Sequence, residues 1–144
     1  MKITIERLKE LKPCEEGFKW YLENIKTENL EDVLLQVNKH DALWARWLFT
    51  NLMTKEQNVR IAIFSARLVL HFFEEKYPTD DRPRKAIETA EKYLTAEASG
   101  DAARAAWDAA EASGDAGAAA LLDTQEKIIR EAVRILATAS EKGE

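Results

Sequence analysis

Cysteine occurs once, at Cys14, which excludes an intramolecular disulfide and a cysteine-based zinc site. The two histidines, His40 and His71, sit in no His-Glu-x-x-His pattern and far from the cysteine, so nothing in the chain points to a metal. The five glycines are dispersed, and none forms the Walker or dinucleotide spacing that cradles phosphates. No stretch approaches the ~18 apolar residues of a membrane span. The opening Met1-Lys2-Ile3-Thr4-Ile5-Glu6-Arg7 places charges where a secretory signal needs a continuous apolar run. Ser65 lies in no nucleophile motif, and Cys14, just before a helix, is expected as a small buried or capping residue. With catalytic, cofactor and metal constellations all lacking, the expectation is a non-enzyme of the cytoplasm that makes no membrane contact.

What the chain does have is helix-forming material. Its 144 residues suit one domain with its own core, and 46% hydrophobic with 33% charged residues is an ordinary globular balance. The formal net charge of -5 disfavours general affinity for phosphate backbones, so no direct nucleic-acid binding is expected. No run alternates long enough to read as a strand, whereas apolar residues recur at helical spacing.

Thr4 can cap a short first helix to about Leu11, ended by Pro13. A second runs from Glu15 to about Asn24, with Phe18, Tyr21, Leu22 and Ile25 on one side. Asn29 can cap a third, in which Leu30, Val33, Leu34 and Val37 repeat. The fourth, from His40 or Asp41 to Met53, has the apolar stripe Leu43, Trp44, Trp47, Leu48 and Leu52; the tryptophans read as core or as partner anchors. Thr54 and Gln57 fit a capping box for a fifth helix, Lys55 to Lys76. It is apolar around most of its circumference, as a buried central helix is, and a narrow polar stripe holds Arg60, Arg67, His71 and Glu74. Pro78 stops it. Asp80 or Asp81 and Pro83 then signal a sixth helix to about Ala96, with Ala86, Ile87, Ala90, Tyr93 and Leu94 inward.

From Ala96 to Ala120 more than half the residues are alanine, and Glu97-Ala98-Ser99-Gly100-Asp101-Ala102 recurs as Glu111-Ala112-Ser113-Gly114-Asp115-Ala116. Ser-Gly-Asp stops one helix and starts another, so a short helix is expected over Asp101 to Ser113. A longer one follows from Asp115 or Thr124 to Ala139, burying Leu122, Ile129, Val133 and Leu136. Trp107 is the expected anchor of this tract, which reads as a compact helical layer or as the seam of a homodimer. The fold class is therefore all-α: a single-domain bundle of about seven or eight helices. Residues 1–97 form its aromatic-rich part, and the alanine-rich layer spans 98–144.

The functional candidates are Arg60, Arg67, His71, Asp80, Asp81, Arg82 and Arg84. Guanidinium groups beside a mostly buried helix need partners, and Glu74, Asp80 and Asp81 can supply them. Closed ion pairs would fix the turn between the fifth and sixth helices; an open arginine-lined cleft would hold a nucleotide or other small anion. His71 is expected as a hydrogen-bonded residue at a core edge or as part of that cleft.

The segment from Phe73 to Ala90, with its distinctive Tyr77-Pro78-Thr79-Asp80-Asp81-Arg82-Pro83, resembles the putative immunity protein family of bacterial toxin–immunity loci and of phages and prophages. The stretch from Ala42 to Leu48 and the alanine-rich region also fit that pattern. The opening Cys14-Glu15-Glu16-Gly17-Phe18-Lys19-Trp20 is similar to the start of a number of small phage proteins. The resemblance implies an all-helical protein that acts by binding, and it carries no catalytic residues with it. It points to an inhibitor that neutralises a bacterial protein, either a toxin or a defence component such as a CRISPR effector, in the cytoplasm of the bacterial host. The alternative is an anionic-ligand binder.

Overall fold

The structure, a computed structural model, describes residues 1–96 and 121–142. Within them are seven helices: α1 Ile5–Glu10, α2 Glu15–Asn24, α3 Leu30–His40, α4 Ala42–Leu52, α5 Lys55–Lys76, α6 Arg82–Ala96 and α7 Leu121–Lys142. The all-α expectation holds. The only strand-like pairing among the described residues is an isolated bridge between Lys2 and Asn29. The alanine-rich tract with Trp107, and the side chains of Tyr93 and Leu122, lie outside the described residues.

Short polar side chains set most helix starts by taking up backbone amides that the helix leaves unpaired. Thr4 accepts from the Arg7 amide, Asn29 from Asp32, and Cys14 through its sulfur from Gly17. Asp41 Oδ1 accepts from the amides of Leu43 at 2.8 Å and Trp44 at 3.3 Å. At α5 the capping box is complete: Gln57 N donates to Thr54 Oγ1 at 3.2 Å, and Thr54 N donates to Gln57 Oε1 at 2.8 Å. Tyr77 ends α5, its amide donating to the Phe73 carbonyl.

The chain divides into two compact units. The first comprises Met1–Leu52 with the end of α7 from Ala132. There the N-terminus is pinned by Ile3 N donating to Glu28 O at 2.8 Å and Leu30 N donating to Met1 O at 3.0 Å. In α3 the expected face is buried, with Leu30, Val33, Leu34 and Val37 all in the core. Of the expected α4 stripe, Leu48 is in the core and Leu52 is half-buried. Ala45, Leu48 and Phe49 face inward, Leu43 is 62% exposed, and Trp44 and Trp47 are half-buried. Leu22 of α2, also expected inward, is exposed.

The second unit, Met53–Glu131, is organised by α5 and α6. Val59, Ala62, Ile63, Ala66 and Leu70 of α5 pack with Ile87 and Ala90 of α6, and Ala86 and Leu94 adjoin them. Alanines at four of these positions let the two backbones approach closely. Burial on α5 extends around most of its circumference, including Ile61, Ser65, Val69 and Phe73. Ser65 donates its hydroxyl to the Ile61 carbonyl, which satisfies it inside the helix. Helix α7 is shared between the units: Ile129, in the second, and Leu136, in the first, are buried as expected, Ala132 and Ile135 of the first are also buried, and Val133 is half-buried.

Candidate functional site

The arginine-rich candidates all fall in the second unit, and each meets a carboxylate. On α5, Arg60 donates to Glu56 Oε1 through Nε at 3.0 Å and Nη2 at 2.6 Å, one turn back on its own helix. Arg67 reaches across to α6 and grips Glu91 Oε1 through Nε, at 2.7 Å, and Nη2. Arg84, on α6, returns the link with Nη2 2.6 Å from Glu74 Oε1 of α5. These two crossed pairs tie the helices on either side of the Tyr77–Asp81 turn. The turn itself is closed by Asp80, which accepts from the Arg82 amide at 3.1 Å, from Nε at 2.9 Å and from Nη2 at 2.6 Å. Lys85 pairs with Asp81 at 2.8 Å.

A shallow, open hollow of about 490 Å³ lies on this surface, lined by Arg67, Leu70, His71, Glu74, Glu75 and Arg84. It brings together Arg67, His71 and Arg84 from the candidate set. Arg60 lies two turns away along α5, and Asp80, Asp81 and Arg82 belong to the turn and not to the lining. His71 is exposed, tilted against Phe72, and lies in the lining of the hollow and not at a core edge, the two places expected for it. Of the expected partners, Glu74 and Asp80 take arginines and Asp81 takes a lysine; Glu56 and Glu91 complete the set.

Charge within the hollow is mixed. Two guanidiniums face two lining glutamates, and Glu91 engages one of the guanidiniums from outside the lining. Arg82, donating from its side chain and its amide, holds Asp80 down at about 2, well below the usual carboxylate range. Asp80 in turn raises the Arg82 guanidinium, and Asp81 raises the Lys85 ammonium. All these pairs are at least partly solvent-exposed, so each contributes modestly to stability, about 0.2–1 kcal/mol at most for the crossed pairs. Their collective effect is orientation: the guanidiniums are held by the protein's own carboxylates. An incoming anion would meet guanidiniums whose charge is already balanced in part by those carboxylates.

A second concave feature belongs wholly to the first unit. Leu8, Pro13, Cys14, Gly17, Phe18, Trp20, Tyr21, Val37 and the α4 residues Leu43, Trp44, Arg46, Trp47 and Leu48 line a half-enclosed hollow of about 400 Å³. Its wall explains the spacing Cys14-x-x-Gly17-x-x-Trp20. Cys14 Sγ accepts from the Gly17 amide at 3.3 Å and so starts α2. A side chain on Gly17 would meet that sulfur, since a Cβ there would lie 3.1 Å from Sγ and 3.8 Å from the Trp44 ring. Trp20, one turn on, stacks on His40 with centroids 4.3 Å apart and meets Trp44 edge-on at 6.1 Å. Cys14 is exposed, so the capping half of its expected role holds and burial does not. Tyr21 is buried, and that burial, with Glu28 nearby, raises its phenol. The helical pattern alone named Trp44 and Trp47 but gave no sign that Trp20 and His40 join them.

Among the described residues no group of three or more His, Cys, Asp and Glu is placed to hold a metal, and no helix is long and apolar enough to cross a membrane. The family model described as "Imm-5 like putative immunity protein" matches residues 49–139. No curated protein and no solved structure matches the chain.

Proposed function

The chain belongs to the Imm-5 like putative immunity protein family, and from that premise we propose that it neutralises a bacterial protein by binding it directly, without catalysis. The observation that carries this reading over an anion-binding one is the state of the arginines. Arg60, Arg67, Arg82 and Arg84 each hold a carboxylate of the same chain. A nucleotide site needs guanidiniums free to fork onto phosphate. A preorganised surface of exposed, paired charges instead suits a macromolecular partner, because rim charges steer encounter and fix register.

The proposed partner surface is the exposed α5–α6 face, with Arg67, His71 and Arg84 central and Arg60, Asp80, Asp81 and Arg82 around them. The partner is a toxin or a phage-defence component of the bacterial cytoplasm. With a net charge of -5, the chain is suited to a basic partner, including an effector groove that otherwise holds nucleic acid.

Affinity purification of the tagged chain from its bacterial host, with mass spectrometry and then reconstitution from purified components, tests the proposal. One stoichiometric protein whose activity falls on mixing is expected, with weaker binding by Arg67→Glu and Arg84→Glu. Recovery of the chain alone with a co-purifying nucleotide would replace this reading with the anionic-ligand one.

A further inference from the structure

We infer that the aromatic hollow of the first unit is a binding site for a small, planar, predominantly apolar molecule. Its volume of about 400 Å³ lies within the range of small-ligand sites, roughly 300–1,000 Å³, and it is half-enclosed. Its wall is assembled from α1, the α1–α2 junction, α2, α3 and α4, so the cavity exists before any ligand arrives. The inference is independent of the proposed partner surface, because every lining residue lies between Leu8 and Leu48, before the family match begins at residue 49.

The chemistry of the wall selects the ligand class. Of the polar groups in the lining, the Cys14 sulfur already takes the Gly17 amide, and Arg46 is the one charged residue among mainly apolar and aromatic side chains. What the hollow chiefly offers is therefore apolar surface and ring faces. Trp20 and Trp44 meet edge to face in the lining, with Trp20 also stacked on His40, so ring surface makes up part of the wall and an aromatic ring can pack against it edge-on or offset. Gly17 keeps the floor open at the point where any side chain would press on Cys14 and Trp44. Leu43 stands 62% exposed at the lining, and covering it on binding removes apolar surface from water.

Cys14 is the sole cysteine, exposed and part of the wall, so it reports occupancy directly. The full chain is titrated with the uncharged fluorophore N-phenyl-1-naphthylamine, reading probe and tryptophan emission, and the rate of Cys14 alkylation by iodoacetamide is measured along the titration. Saturable binding of one probe per chain is expected, with alkylation slowed in proportion to occupancy. Leu43→Glu, at an exposed position where the fold has little at stake, is expected to weaken the probe about tenfold, because a carboxylate would have to be desolvated against it. Prior reaction of Cys14 in the unaltered chain with a benzyl-bearing maleimide should abolish binding, which keeps the test decisive even if the glutamate variant folds poorly. Arg84→Ala should bind like the unaltered chain. Absent or non-saturable binding, or binding that leaves Cys14 reactivity unchanged, would overturn the inference. So would a probe that fails to bind while the purified protein partner shields Cys14, which would make the hollow a protein-docking pocket.

Discussion

The packing of α6 on α5 rests on one side chain more than any other. Ile87 is 1% exposed and is the largest α6 residue in the cluster formed with Val59, Ala62, Ile63, Ala66, Leu70 and Ala90. Ile87→Ala deletes three buried carbons, a transfer loss of about 2.4 kcal/mol at ~0.8 kcal/mol each. The hole is poorly refilled, because Ala62, Ala66 and Ala90 have no longer side chains to swing into it. A residual cavity adds about 1 kcal/mol more, at ~24 cal/mol per Å³ over roughly 50 Å³. The variant should therefore lose about 3.5 kcal/mol, a large share of the ~5–15 kcal/mol typical of a domain. Guanidinium unfolding followed by far-UV circular dichroism gives the value, and thermal melting should fall by roughly 7–14 °C. Ile87→Val, which keeps most of the side chain, should cost about 1 kcal/mol, and Leu43→Ala should stay within about 0.5 kcal/mol. A loss below about 1 kcal/mol for Ile87→Ala would refute the packing of α6 on α5 through this face.

Four further outcomes follow from the same geometry. Thr54→Ala removes the capping-box acceptor of α5 and should cost about 1 kcal/mol by chemical unfolding, with Thr54→Ser close to the unaltered chain. A double-mutant cycle on Arg84 and Glu74 should give a coupling of about 0.2–1 kcal/mol that shrinks in high salt; a salt-independent value would contradict the exposed pair. Asp80 has a folded-state pKa of about 2 against an ordinary 3.8, so its stabilisation is complete above 3.8 and is lost as pH falls through about 2. Melting temperatures of Asp80→Asn should lie below those of the parent at neutral pH and converge with them in that acid window. Tyr21 has the opposite limb: its raised phenol keeps the folded chain protonated while the unfolded chain ionises near 10.0. Stability is thus lost as pH rises past that value, and Tyr21→Phe should flatten the alkaline fall in melting temperature.

The local features were readable because their causes are local. Caps at Thr4, Asn29 and Thr54 depend on a side chain and an amide three residues on, and the buried face of α3 depends on one stripe at helical spacing. Helix α4 shows where that logic ends. Leu43, Trp44, Trp47, Leu48 and Leu52 form one acceptable apolar stripe, and Ala45, Leu48 and Phe49 lie on an adjoining one. A helix that is apolar on two sides does not state which side the core will take. In the fold Ala45, Leu48 and Phe49 are buried, while Leu43, Trp44 and Trp47 are left to line the hollow.

The candidate site divides in the same way. Arg84–Glu74 and Arg82–Asp80 could be anticipated because the short Tyr77–Asp81 turn brings few carboxylates within reach. Glu91 lies 24 residues from Arg67 and becomes its partner only because α6 docks on α5 at one angle and register. The meeting of Trp20, His40 and Trp44, contributed by three helices, likewise has no trace in the spacing of any one of them. By itself, then, the sequence determined that the chain is helical and where most of its helices begin. Tertiary structure alone decided which apolar stripe of α4 was buried, which carboxylate each distant arginine would hold, and that an aromatic hollow would remain open. Helix periodicity and capping act over three or four residues, whereas those choices depend on side chains brought together from separate helices by packing.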